Sequence, residues 1–112
     1  MPAFGAVLST ADVNKNASSA PAPGATVSID ATLGNLFKWT AGENETVNIT
    51  AGQQAGRVIT LMVTNDAVIR TITLGTGIVS VGVIVGTALK TAVVVLQSDG
   101  VSFFELSRTL GL

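Results

Sequence analysis

The chain has 112 residues, enough for one domain with a real core and too few for two. Cys and His are absent, which excludes thiol nucleophiles, Cys/His zinc sites and imidazole general bases. Six basic and seven acidic residues leave a net charge of −1, so no basic field exists to hold a polyanion and nucleic acid is excluded as a general partner.

In chain order, residues 1–25 are rich in Ala, Ser, Asn, Pro and Gly and end in Ala20-Pro-Ala-Pro-Gly24. Each Pro fixes its own φ and pushes its predecessor out of the helical region, so this stretch reads as an extended N-terminal arm. Phe4, Val7, Leu8 and Val13 make the arm more apolar than a solvated tail needs and suit it to docking on a partner. From Thr26 onward, residues 26–112 read as one β domain. Val, Ile and Thr supply 36 of the 112 residues, and their branched side chains favour strands. Turn signals at Leu33-Gly34-Asn35, Ala41-Gly42-Glu43, 51–56, Asn65-Asp66, Gly75-Thr-Gly77, Gly86-Thr87 and Ser98-Asp99-Gly100 cut the chain into about eight short strands. These fall near 26–30, 35–40, 45–50, 57–64, 68–74, 78–85, 89–97 and 101–106. The spacing predicts an all-β fold, an antiparallel β-sandwich or jelly-roll-like domain, with Asp99-Gly100 as the clearest hairpin. No internal sequence repeat points to a solenoid.

Alternation predicts which faces are wet. In strand 45–50, Val47 and Ile49 oppose Thr46, Asn48 and Thr50, the pattern of a half-buried strand. Strand 57–64 differs: Ile59, Leu61 and Val63 line one face, yet Val58 and Met62 stand on the other beside Thr60. Strand 78–85 sets Val79, Val81, Val83 and Val85 on one side, and 93–96 and Phe103-Phe104 are apolar on both. Charged residues are 12% of this chain against about 25% in ordinary domains, too few to wet both sides of such sheets. Shielding by further copies is the expectation, since obligate interfaces resemble a core cut in half.

Other chemistries are weighed and set aside. Thr71 to Leu89 runs 19 residues without a charge, but four glycines, five Thr or Ser residues and abundant β-branching fit strands better than a membrane helix. No charged segment followed by an apolar one opens the chain, so no signal peptide is expected, and no membrane partner. Asp12-Val-Asn14-Lys-Asn16 begins like a calcium loop, but Ala17 replaces the required Gly and Pro23 the bidentate Glu. Glu43 and Glu45 fit a solvated turn better than an acid/base pair. Gly75-Thr-Gly77 lacks the third glycine of a dinucleotide loop. The triplets at Asn16, Asn44 and Asn48 match the glycosylation pattern by chance in a Thr-rich chain. Phe37 and Trp39 are assigned to the core. No catalytic residue, cofactor or metal ligand is nominated, and an enzyme is not expected.

Two segments carry a family resemblance. Val27-Ser-Ile-Asp-Ala-Thr-Leu-Gly-Asn-Leu-Phe37, a short polar turn and Val47-Asn-Ile-Thr50 resemble the opening of small all-β modules in tailed-bacteriophage appendages. Gly56-Arg-Val-Ile-Thr-Leu-Met-Val-Thr-Asn-Asp66 resembles their next strand, and Ser98-Asp-Gly-Val-Ser-Phe-Phe104 their closing hairpin. The similarity spans most of residues 26–106 and is one of strand and turn types. Such modules are usually trimeric and end long tail proteins. This chain departs from them by starting at Met1 and holding little besides the module, and so looks more like a capsid decoration (cement) protein. The resemblance implies a homotrimer on the outer surface of a virion capsid, bridging major capsid protein subunits. Phe4, Val7, Leu8 and Val13 would then be capsid contacts, and Val79, Val81, Val83, Val93 and Val95 the seam between copies. The alternative is a phage tail-fibre or receptor-binding β module.

Overall fold

The structure is a computed structural model that describes residues 18–21 and 24–112. Among them are ten strands and one short 3-10 turn. The strands are β1 (Ser18–Ser19), β2 (Thr26–Asp30), β3 (Leu36–Ala41), β4 (Glu45–Ala51), β5 (Val58–Asn65), β6 (Thr71–Leu74), β7 (Ile78–Val79), β8 (Ile84–Val85), β9 (Thr91–Ser98) and β10 (Phe103–Thr109). They form a six-stranded sheet in the order β1-β3-β5-β9-β10-β7 and a four-stranded sheet in the order β2-β4-β6-β8. The all-β class expected from β-branching is therefore observed, in two layers.

The pairing within the layers corrects the expectation of an antiparallel, jelly-roll-like sandwich. Five of the eight strand pairings are parallel. Antiparallel contacts are confined to β5–β9, β9–β10 and β6–β8. The first six strands alternate between the sheets, so each turn of chain lays one strand in each layer beside the strand one turn earlier. Ser18 pairs with Leu36 and Leu36 with Thr60, steps of 18 and 24 residues. In the other sheet Thr26 pairs with Thr46, and Glu45 with Ile72, steps of 20 and 27 residues. The chain thus coils like a short solenoid before the β9–β10 hairpin closes it. Unequal steps explain why no repeat is visible: stacking needs apolar positions to coincide in space, which turns of different length allow. Parallel partners need a long crossover, and here a strand of the opposite sheet serves.

Local chemistry places the turns. Asp30 caps the 3-10 turn Ala31–Leu33 through the Thr32 N–H at 2.9 Å. Asp99 accepts the N–H groups of Val101 and Ser102 at 2.9 and 3.0 Å, and Gly100 beside it takes φ of 103°, so the expected hairpin is present. Side-chain amides tie successive turns of the coil: Asn44 accepts the Thr71 N–H at 3.0 Å and Asn48 the Thr76 N–H at 2.8 Å.

Alternating residues fill the space between the layers. Val27, Ile29, Phe37, Val47, Ile49, Ile59, Leu61, Val63, Ile72, Val94, Leu96 and Phe103 are buried, with Trp39 packed among them. This matches the inward face assigned to strands 45–50 and 57–64, and the core roles of Phe37 and Trp39. Predicted strand 78–85 does not exist as one strand. Its ends belong to different sheets, β7 beside β10 and β8 beside β6. Val79, Val81, Val83 and Val85 are all exposed, but they do not share one side as the alternation predicted, since Val79 lies on the six-stranded sheet and Val85 on the four-stranded one.

Candidate functional site

Among the described residues no group of three or more acidic side chains could hold a metal ion. A buried carboxylate stands in the core wall. Glu45 is 3% exposed; its Oε1 accepts the Trp39 Nε1–H at 2.8 Å and its Oε2 has no hydrogen-bond partner. Burial pushes this carboxyl above the ordinary glutamate range, against the Trp39 hydrogen bond, and the nearby Glu43 charge adds to the rise. Glu45 therefore does not sit on a solvated turn with Glu43, as the sequence suggested. Strand β4 turns its first residue inward, while Glu43 in the preceding turn stays exposed.

The two sheets present different outer faces. In the four-stranded sheet β2, β4 and β6 show water Thr26, Ser28, Thr46, Asn48, Thr50, Thr71 and Thr73, all polar and uncharged, and β8 adds the exposed Val85 beside Thr71. On the six-stranded sheet the registers set Lys38, Met62, Val93 and Thr109 in one row across β3, β5, β9 and β10. The adjacent row runs Leu36, Thr60, Val95 and Ser107, and the next Val58, Gln97, Phe104 and Val79. Lys38 is the single charged side chain in these rows. The outer faces of strands 57–64 and 93–96 thus carry Val58, Met62, Val93 and Val95, with Thr60 and Thr64 beside them, in keeping with their alternation. A shallow depression of about 360 Å³ lies at one end of this face, bounded by Lys38, Trp39, Thr40, Met62, Thr64 and Thr91. The Thr64 and Thr91 hydroxyls are bonded to each other at 2.8 Å across its floor.

Of the residues proposed for the seam between copies, Val93 and Val95 lie half-buried in the middle of this face. Val79 is at its far edge on β7, while Val81 and Val83 belong to the segment that crosses from β7 to β8. The structure thus splits the five into a central pair and an edge group. Phe4, Val7, Leu8 and Val13, proposed as capsid contacts, lie outside the described residues; of the arm, Ser18–Ser19 adds a strand beside β3.

Sequence reasoning missed Glu105 and Arg108. Residues three apart in a regular strand point to opposite faces. Here a β-bulge intervenes: Leu96 pairs with Glu105 but Val95 with Ser107, so Leu106 is extra and the two charged residues return to one side. Arg108 Nε and Nη2 donate to Glu105 Oε2 and Oε1 at 2.6 and 2.8 Å. That pairing holds the Glu105 carboxyl below the usual range. A bulge has no mark in this sequence from which the pair could have been read. No protein-family model, curated protein or solved structure matches this chain, so the arrangement of its own residues is what bears on function.

Proposed function

We propose that this chain is a structural protein without enzymatic activity, which works as a homotrimer on the outer surface of a virion and bridges major capsid subunits as a decoration protein. The observation that supports the reading is the contrast between its two outer faces. One shows hydroxyl and amide groups on three of its four strands, with Val85 as the apolar residue of the fourth; the other carries Leu36, Val58, Met62, Val93, Val95 and Phe104, interspersed with Thr60, Gln97, Ser107 and Thr109, around a single ammonium group. A sheet with one apolar outer face gains by covering it, at about 25 cal/mol for each Å² removed from water. Three copies sharing such faces would leave their polar sheets outward. A trimer that touches several capsid subunits at once binds with avidity and favours the shell form it recognises. The test is to add purified protein to capsids that lack it. Saturable occupancy and a higher shell melting temperature are expected; no binding at micromolar concentration overturns the proposal.

A tail-fibre or receptor-binding module is the second reading. The depression beside Lys38 favours it, since three threonine hydroxyls and an ammonium around Met62 form a donor set suited to a sugar. Binding to host cells in place of capsids would select it.

A further inference from the structure

We infer that the far edge of the sandwich, where residues 79–83 run beside β10, is the surface through which copies of this chain associate. The inference rests on the oligomeric reading above and names a surface for it. Single exposed apolar side chains are ordinary and need no partner. Those at this edge are held there. Val81 is 82% exposed and Val83 48%, yet hydrogen bonds hold the backbone of residues 81–83 at several points. Glu105 Oε1 accepts the Val81 N–H at 3.2 Å, and Arg108 donates to the Gly82 and Val83 carbonyls at 2.8 and 2.9 Å. The same guanidinium grips both carboxylate oxygens of Glu105, whose side chain is 3% exposed. Two charges are thus turned inward to fix a stretch of chain whose valines are left in water.

Neighbouring side chains extend the ridge. Phe104 pairs with Val79 across β10 and β7, and Leu106, the extra residue of the bulge, is 57% exposed between the two clamp residues. Together these five expose roughly 450 Å² of apolar surface, as much as the largest patch on an ordinary monomer. An interface that covers this edge with an equal area of a neighbouring copy hides about 900 Å², near the threshold of about 1,000 Å² for a specific interface. Val93 and Val95 on the adjoining face make up the difference. Charge selects the occupant. Glu105 and Arg108 satisfy each other, so a charged partner finds no counter-charge here. A second copy, whose surface around this edge and the adjoining face is nearly uncharged, meets no repulsion and gains from burial.

The test is sedimentation of the full-length protein without detergent, with thermal melts to check the fold. Wild type is expected as an oligomer at micromolar concentration. Val81→Asp with Val83→Asp, both at exposed positions, should weaken association by about a hundredfold and give single chains that melt cooperatively. Arg108→Met, which frees the segment, should weaken it by about tenfold. Thr26→Asp with Thr73→Asp, on the polar sheet, should leave the mass unchanged. A wild type that remains a single chain at high micromolar concentration, or an oligomer indifferent to the two aspartates, overturns the inference. Loss of assembly in the aspartate variant with no capsid binding by wild type would sink the decoration reading and leave this surface standing. Persistent assembly with normal capsid binding would do the reverse.

Discussion

Glu45 stands apart from the other carboxylates whose environments shift them. Asp30, Asp66, Asp99 and Glu105 are held below the usual range by hydrogen bonds from, in turn, Thr32, Arg70, the Ser102 and Val101 N–H groups, and Arg108. The stability they add is present above the ordinary carboxylate range and is lost as pH falls through their lowered values. Glu45 has the opposite sign. Its folded form favours the proton, so its contribution is complete below the ordinary glutamate pKa and is lost as pH rises through the raised value. Glu45→Gln, which keeps an acceptor for Trp39, is expected to melt above wild type at pH 7 and to lose that advantage toward about pH 4. Melting curves at the two pH values check it. Trp39→Phe should cost about 2 kcal/mol at neutral pH by stripping the carboxylate of its one donor, measurable by urea unfolding. Gly86 packs its backbone against the buried Asn65 amide, where a Cβ would overlap the side chain. Gly86→Ala should therefore destabilise by about 2 kcal/mol in the same experiment.

Strands were the legible elements. β-Branched runs between turn residues placed β2 to β6, β9 and β10 within a few residues, because strand formation and inward direction depend on local composition and a period of two. The same period misjudged 78–85, since alternation says which way a side chain points but not whether its strand stays in one sheet. It also hid the Glu105–Arg108 pair, which exists through the β10 bulge. Irregular backbone elsewhere can be tested directly. Leu89, in the turn before β9, is 71% exposed and takes φ of 62°, a left-handed conformation that costs a leucine roughly 1 kcal/mol. Leu89→Asn should relieve part of that strain and raise the melting temperature by about 2–4 °C.

For the whole molecule, the decisive property is that its two layers face outward with different chemistry. A lysine on each outer face separates them. Thr46→Lys on the four-stranded sheet should leave stability within about 0.5 kcal/mol of wild type and the sedimenting mass unchanged. Val95→Lys, in the middle of the apolar rows, should lower the mass of the assembly, as a charge in an interface core does. The depression beside Lys38 and the ridge at Val81 lie toward opposite edges of one sheet, so association through the ridge can leave the depression open.

By itself the sequence determined the all-β class, the inward and outward sets of most strands, the Asp99-Gly100 hairpin and the scarcity of charge on the outer faces. These follow from residue type and spacing along a few neighbours. Tertiary structure alone decided that the strands coil in parallel between two sheets, that Glu45 turns into the core and that Arg108 reaches Gly82 and Val83. Each of these depends on which distant strand lies alongside. A pleated segment offers the same hydrogen-bonding edges to a parallel or an antiparallel neighbour, so the choice comes from how the apolar faces fit together when the whole chain packs.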